Sequence, residues 1–185
     1  QNNAVNSNWM PDSHRLNFHY IDNDARLTEP LVRENSTHRT ATWPEALTKT
    51  RAALSKYAPS EIAIIASARM TNEELFLVRS LAGKLGTSDF TIVPREGEND
   101  GLLIAADRNP NTTGTKLVWS SEDPSAALAS IRESVRSSGV KALFVFSEEL
   151  TAEAGFTIED LAKPEFIASI QLLAGPTANA TATCN

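Results

Sequence analysis

Cysteine is almost missing from this 185-residue chain, and the single one, Cys184, stands next to the last residue. One thiol closes no internal disulfide and builds no zinc or iron–sulphur centre by itself. Histidine is nearly as scarce. His14, His19 and His38 all fall in the polar first quarter, and a spacing of five turns His14 and His19 to different helix faces, so no metal site is expected. Long apolar runs are missing too: the longest, residues 62–66 and 142–146, fall far short of a bilayer span. Lys and Arg number 17 against 23 Asp and Glu, for a formal charge of -6. No basic cluster appears, which argues against nucleic acid as a partner. Residues 1–8 are amide-rich with no apolar stretch, so no signal peptide is expected. There is no Gly-x-Gly-x-x-Gly or Walker loop and no Gly-x-Ser-x-Gly elbow, and no histidine falls in the core-forming part of the chain. Neither a phosphate cradle nor a nucleophile triad is therefore legible, and no catalytic residue is assigned.

What is present is an ordinary globular composition, 41% hydrophobic and 22% charged, at a length suited to one domain. Residues 1–42 are polar and irregular with isolated apolar points, and read as an extended arm laid on a neighbouring surface. Residues 43–185 read as a Rossmann-like α/β domain, truncated at its C-terminal end. Trp43-Pro44-Glu45 opens a helix capped by Thr42 or Trp43. Within residues 61–67 a continuous apolar run is bounded by the polar Glu61 and Ser67, as in a strand buried on both faces of a parallel sheet. Thr71-Asn72-Glu73-Glu74 caps a helix that runs to Gly86. Residues 90–93 form a short strand closed by Pro94, and 102–106 suit either a strand or a helical turn. After the turn at 109–114, residues 116–119 suit a third strand. Residues 121–137 form a helix, 140–146 the clearest strand, 157–161 a short helix and 166–173 a last strand. The expected fold is a three-layer α/β sandwich with a mostly parallel sheet, preceded by an irregular N-terminal arm. The tail, 175–185, carries no helix or strand signal and looks cut in mid-structure.

Ligands of parallel sheets collect at the carboxyl ends of the strands. Two loops qualify. Ser67-Ala68-Arg69-Met70-Thr71-Asn72 runs into a helix N-terminus, where backbone amides and Arg69 suit an anion. Asp107-Arg108-Asn109-Pro110-Asn111 is a polar turn. The plainer reading makes the first a capped helix with Arg69 in water and the second an exposed turn. The paired carboxylates Glu73-Glu74 and Glu148-Glu149 are read as solvated surface, since no nucleophile accompanies them.

In order along the chain, several motifs resemble one family. Asn6-Ser7-Asn8-Trp9-Met10-Pro11-Asp12-Ser13-His14-Arg15, Arg26-Leu27-Thr28-Glu29-Pro30-Leu31-Val32-Arg33 and Trp43-Pro44-Glu45-Ala46-Leu47 are similar to segments of the large iron–sulphur subunit of NADH:quinone oxidoreductase, respiratory complex I. Thr71-Asn72-Glu73-Glu74-Leu75, Leu85-Gly86-Thr87, Asp107-Arg108-Asn109-Pro110-Asn111 and residues 140–146 resemble that subunit's molybdopterin-oxidoreductase-like domain. Where members with an extra cluster carry cysteine, in a Trp-x-Cys-Asp motif, this chain has Pro11. The resemblance implies a scaffold fragment of the peripheral electron-transfer arm, with no redox centre of its own and with iron–sulphur clusters elsewhere in the parent. It implies a vestigial pterin site at Ser67, Arg69, Asn72, Asp107 and Arg108. It implies the rest of the subunit and other peripheral-arm subunits as partners, on the cytoplasmic face of the inner membrane without insertion into it. Two alternatives stand beside it: a fragment of a working molybdopterin oxidoreductase of the formate dehydrogenase kind, and a stand-alone small-ligand-binding α/β module.

Overall fold

The computed structural model describes residues 8–35, 37–119 and 123–179; Cys184 lies outside them. One helical turn, α1 (Asp12–Arg15), precedes a small antiparallel hairpin of β1 (Leu31–Glu34) and β2 (Thr37–Thr40). Then follow α2 (Trp43–Leu54), β3 (Ile62–Ala66), α3 (Asn72–Leu85), β4 (Phe90–Ile92), α4 (Thr112–Trp119) and α5 (Pro124–Arg136). The chain continues through β5 (Ala142–Phe146), α6 (Leu150–Glu153), α7 (Ile158–Leu161), β6 (Phe166–Ile170) and α8 (Pro176–Asn179). Four strands form one sheet in the order β4-β3-β5-β6, and every neighbouring pair is parallel.

All five residues of β3 and all five of β5 are buried, which is why their sequences are continuously apolar instead of alternating. The pleat sorts them. Ile62, Ile64, Ala66, Ala142, Phe144 and Phe146 join Leu75, Val78 and Ala82 of α3 and Trp119 of α4 on one face. Ala63, Ile65, Leu143 and Val145 join Leu128, Ile131 and Val135 of α5 with Leu150 and Leu161 on the other. The result is the expected three-layer α/β sandwich, with two apolar seams supplying most of the drive to fold.

Local chemistry sets the helix boundaries. Thr42 Oγ1 accepts from the Glu45 amide at 3.4 Å. Thr71 and Glu74 form a reciprocal capping box at 3.2 and 2.8 Å. Asp123 caps α5 through the Ala126 amide at 2.9 Å. Gly86 ends α3 at φ +73, a left-handed conformation that costs glycine little.

The main difference from the sequence reading lies at 116–119. These residues are the last turns of α4 and not a strand. The turn residues before them start the helix: Asn111 Oδ1 accepts the Gly114 amide at 3.2 Å, and the Asn111 carbonyl accepts the Thr115 amide at 3.1 Å. Residues 102–106 are neither strand nor helix; they form a loop closed by a Glu96–Asp107 bridge, with three amides of its tip donating to Asp100 Oδ1. Part of the tail is ordered as α8. The lead-in is irregular apart from α1 and the hairpin, and it lies on this chain's own sheet edge. The Leu27 amide donates to the Leu172 carbonyl, the Ala174 amide donates to the Ala25 carbonyl, and Arg26 bridges Leu173. Between hairpin, α2 and β6 runs a groove of about 730 Å³, with Trp43, Leu47 and Ile170 exposed along it.

One ion pair ties the helices of the second face. Arg136, at the end of α5, meets Asp160 of α7 at 3.1 Å. The Arg136 guanidinium, aided by the Thr157 amide and opposed by burial, holds the Asp160 carboxyl below its ordinary 3.8. A depressed folded-state value stabilises the fold above the unfolded value, and that contribution disappears as pH falls through the folded one. Acid titration of stability should therefore be shallower below pH 4 in Asp160→Asn than in the parent, as read by urea midpoints.

Candidate functional site

The carboxyl ends of β3, β4 and β5 open on one edge of the sheet, and four loops meet there. Past β4, Pro94 stops the ladder and Arg95 follows. Past β5, Ser147 adopts φ +56, a left-handed position that L residues occupy at a cost of roughly 1–3 kcal/mol. Its amide donates to the Ile170 carbonyl at 2.8 Å, and Glu148 comes next.

Arg95 and Glu148 pair across the sheet. Glu148 is 1% exposed, and both its oxygens accept from Arg95, Oε1 at 3.0 Å and Oε2 more closely. Asn109 Oδ1 takes the same guanidinium at 3.0 Å while its Nδ2 donates to the Val93 carbonyl at 3.2 Å. A third carboxylate closes the group. Glu153, at the end of α6, accepts from Arg95 through Oε2 and from Arg69 through Oε1, the latter at 3.3 Å. One carboxylate thus bridges two guanidiniums over a buried pair. A charge desolvated this far is held only by its partners. Arg95 Nε is buried and has no hydrogen-bond partner among the described residues.

The five residues singled out in the sequence fall around this cluster without forming one site. Ser67 is fully buried and accepts from the Arg69 amide at 3.1 Å. Arg69 is engaged with Glu153. Asn72 Oδ1 accepts from Asn111 Nδ2 at 3.0 Å, and the same Nδ2 donates to the Met70 carbonyl at 2.9 Å; this joins the two predicted loops. Asp107 Oδ1 accepts from the Asn109 amide at 2.9 Å and Thr112 Oγ1 at 3.0 Å. Arg108 folds back over Gly97 and donates to the Glu98 carbonyl at 2.5 Å.

Gly114 makes the junction of the loops possible. A Cβ there would run into Asn72 Oδ1 and Asn111 Oδ1. Gly114→Ala is therefore expected to break the asparagine link and lose about 1–3 kcal/mol by chemical denaturation, although alanine is the better helix former.

Sequence reasoning does not single out Arg95, Asn109, Glu148 or Glu153 as a cluster, and the reading of Glu148-Glu149 as solvated surface does not hold. Glu148 lies beneath Arg95. Glu149 caps α6 and accepts the Thr177 amide at 3.1 Å through each oxygen. Burial pushes the Glu149 carboxyl up, but hydrogen bonds from Thr177 and Thr151 prevail and hold it below the ordinary range. The one signal that points to the pair is positional: Arg95 stands three residues past the end of β4 and Glu148 two past the end of β5.

Comparison with known proteins adds a family. The molybdopterin oxidoreductase family matches residues 26–121, more than half of the chain. Over 100 residues the chain is 36% identical to the mitochondrial NADH-ubiquinone oxidoreductase 78 kDa subunit of Candida albicans, covering 53% of this chain and 14% of that protein. It is 29% identical over 91 residues to an NADH-quinone oxidoreductase subunit of Rickettsia felis, covering 49% and 13%. It is 37% identical over 65 residues to the alpha subunit of an F420-dependent formate dehydrogenase of Methanococcus maripaludis, covering 35% and 10%. The chain thus spans a small part of the length of each.

Proposed function

Because this chain belongs to the molybdopterin oxidoreductase family, we propose that it serves as a scaffold domain of an NADH:quinone oxidoreductase large iron–sulphur subunit. In this reading residues 43–185 form the α/β body and 1–42 an extended N-terminal arm, whose residues 25–27 pair with residues 172–174 just past β6. The domain packs against the rest of that subunit and other peripheral-arm subunits, at the cytoplasmic face of the inner membrane. Among the described residues no helix is long and apolar enough to cross a membrane. The exposed apolar side chains along the hairpin, α2 and β6 suit burial against such neighbours.

The observation that carries this reading is the occupancy of the sheet's carboxyl edge. A molybdopterin brings phosphate and a metal that needs a ligand. Here the guanidiniums of Arg69 and Arg95 are taken by Glu153 and Glu148, and Arg108 is turned to a backbone carbonyl. Two carboxylates stand where an anion would sit. These residues fit the cofactor poorly, so Ser67, Arg69, Asn72, Asp107 and Arg108 are read as the remnant of a pterin site. The parent's redox chemistry then resides in iron–sulphur clusters outside this domain, and Pro11 supplies no cluster ligand.

The second reading is a domain of a working molybdopterin oxidoreductase, favoured by the 37% identity to the formate dehydrogenase subunit. Affinity purification of the tagged native protein from its own cells separates the two. Iron without molybdenum, together with NADH:quinone reductase activity, supports the scaffold. Stoichiometric molybdenum with formate oxidation overturns it.

A further inference from the structure

The groove between hairpin, α2 and β6 has two firm walls and one loose one. Ala53, Leu54 and Tyr57 of α2 and Phe166 and Ala168 of β6 pack into the core of that face. The hairpin does not. Of the eight residues in β1 and β2 only Val32 is buried. The hairpin is a closed unit, with the Ala41 amide donating to the Pro30 carbonyl at 2.9 Å across its foot. On one side charge ties it to α2: Lys49 meets Glu34 at 2.6 Å, and Arg39 meets Glu45 at 2.5 Å. On the other side Arg33 Nη1 donates to the Asn179 carbonyl of α8 at 3.5 Å. The hairpin therefore crosses the groove from α2 to α8, and Leu31, Val32, Arg33 and His38 line it there.

We infer that the β1–β2 hairpin is a strap over this groove, latched to α2 by the Glu34–Lys49 and Arg39–Glu45 pairs and released when those charges are screened or removed. The latch suits release. Its four side chains are 36–47% exposed, and water and salt compete for pairs of that kind. Arg39 also pairs with Glu34 inside the hairpin at 2.8 Å, so the strap keeps its own shape when the latch opens. The chain on either side is fixed. Residues 25–27 pair with 172–174, and α2 is packed through Ala53 and Leu54. Movement is thus confined to residues 28–30 and 41–42, which act as the two hinges. Release bares Val32 and the apolar lining formed by Phe144, Phe166 and Ile170. What enters the groove rests on the scaffold reading, in which it is the rest of the parent subunit. The latch itself lies within this chain, so the purification experiment and the test below succeed or fail separately.

The test follows a single thiol at Val32, which is 8% exposed. Val32→Cys is made in a Cys184→Ser background, and its labelling by a small uncharged thiol reagent is timed under native conditions, where the rate follows the open fraction. Raising sodium chloride to about 1 M, where the Debye length is about 3 Å, should speed labelling roughly threefold to tenfold, the scale of two exposed ion pairs. Adding Glu45→Gln and Lys49→Gln removes one charge of each sign. That change should give the same gain at low salt and leave added salt little further effect. Val78→Cys, at a core position 4% exposed, reports global unfolding and should label no faster in either case. A Val32→Cys rate unchanged by either treatment overturns the inference, as does a rise matched at Val78→Cys. If Val32→Cys does not fold, Ala41→Cys at the foot of the hairpin, also 8% exposed, takes its place with the same outcomes.

Discussion

Glu148→Ala is expected to lose about 3–5 kcal/mol of folding stability, a scale set by leaving a buried charge without its partner. Arg95 is the group left behind. It sits past the end of β4, its Nε has no partner among the described residues, and Asn109 offers it one neutral acceptor. Glu153 is the only other carboxylate on this guanidinium among the described residues and is too exposed to replace Glu148. The double variant Arg95→Met with Glu148→Leu should recover most of the loss, since an apolar pair of similar volume needs no compensation. Urea unfolding of the two singles and the double gives a coupling energy. A large coupling marks the pair as the structural floor of the sheet edge. Additive losses would mean each residue acts through separate neighbours. Glu153→Gln should stay within about 1 kcal/mol of the parent, which separates the buried carboxylate from the partly exposed one.

The same contrast between near and distant partners decides how much of the molecule is legible in its sequence. Elements that depend on near neighbours are readable: Thr71 with Glu74, Thr42 before Pro44, and Gly86 after Leu85 are short-range chemistry, and the structure keeps each. The inner strands are readable because burial on both faces demands unbroken apolar runs at 62–66 and 142–146. The Arg95–Glu148 pair is not readable. Its members stand 53 positions apart, and only the adjacency of β4, β3 and β5 brings them together. In isolation Glu148-Glu149 matches any solvated acidic pair. The candidate loops follow from the rule that parallel sheets bind ligands at their carboxyl ends. That rule selects the correct edge without saying which donors are already occupied.

At α4, local composition and tertiary packing point in opposite directions. Thr-Thr-Gly-Thr-Lys-Leu-Val-Trp combines β-branched residues with a glycine, a composition that favours turn and strand over helix. Packing overrides it. Thr115 and Trp119, four positions apart, are 2% and 3% exposed, as one helix face requires. Trp119 donates from Nε1 to the Leu75 carbonyl at 2.9 Å and meets the Phe90 ring edge-on, with centroids 5.4 Å apart. Trp119→Ala should therefore lose about 3–5 kcal/mol, the range for emptying a buried aromatic site. Trp119→Phe, which keeps the ring but not the donor, should lose about 1–2 kcal/mol. Leu117 decides between helix and strand. On a strand, positions 117 and 119 share a face, and truncating either would be costly. On α4 Leu117 is 77% exposed, so Leu117→Ala should shift stability by less than about 0.5 kcal/mol. Comparable losses at Leu117 and Trp119 in urea unfolding would restore the strand; a severe loss at Trp119 alone fixes the helix.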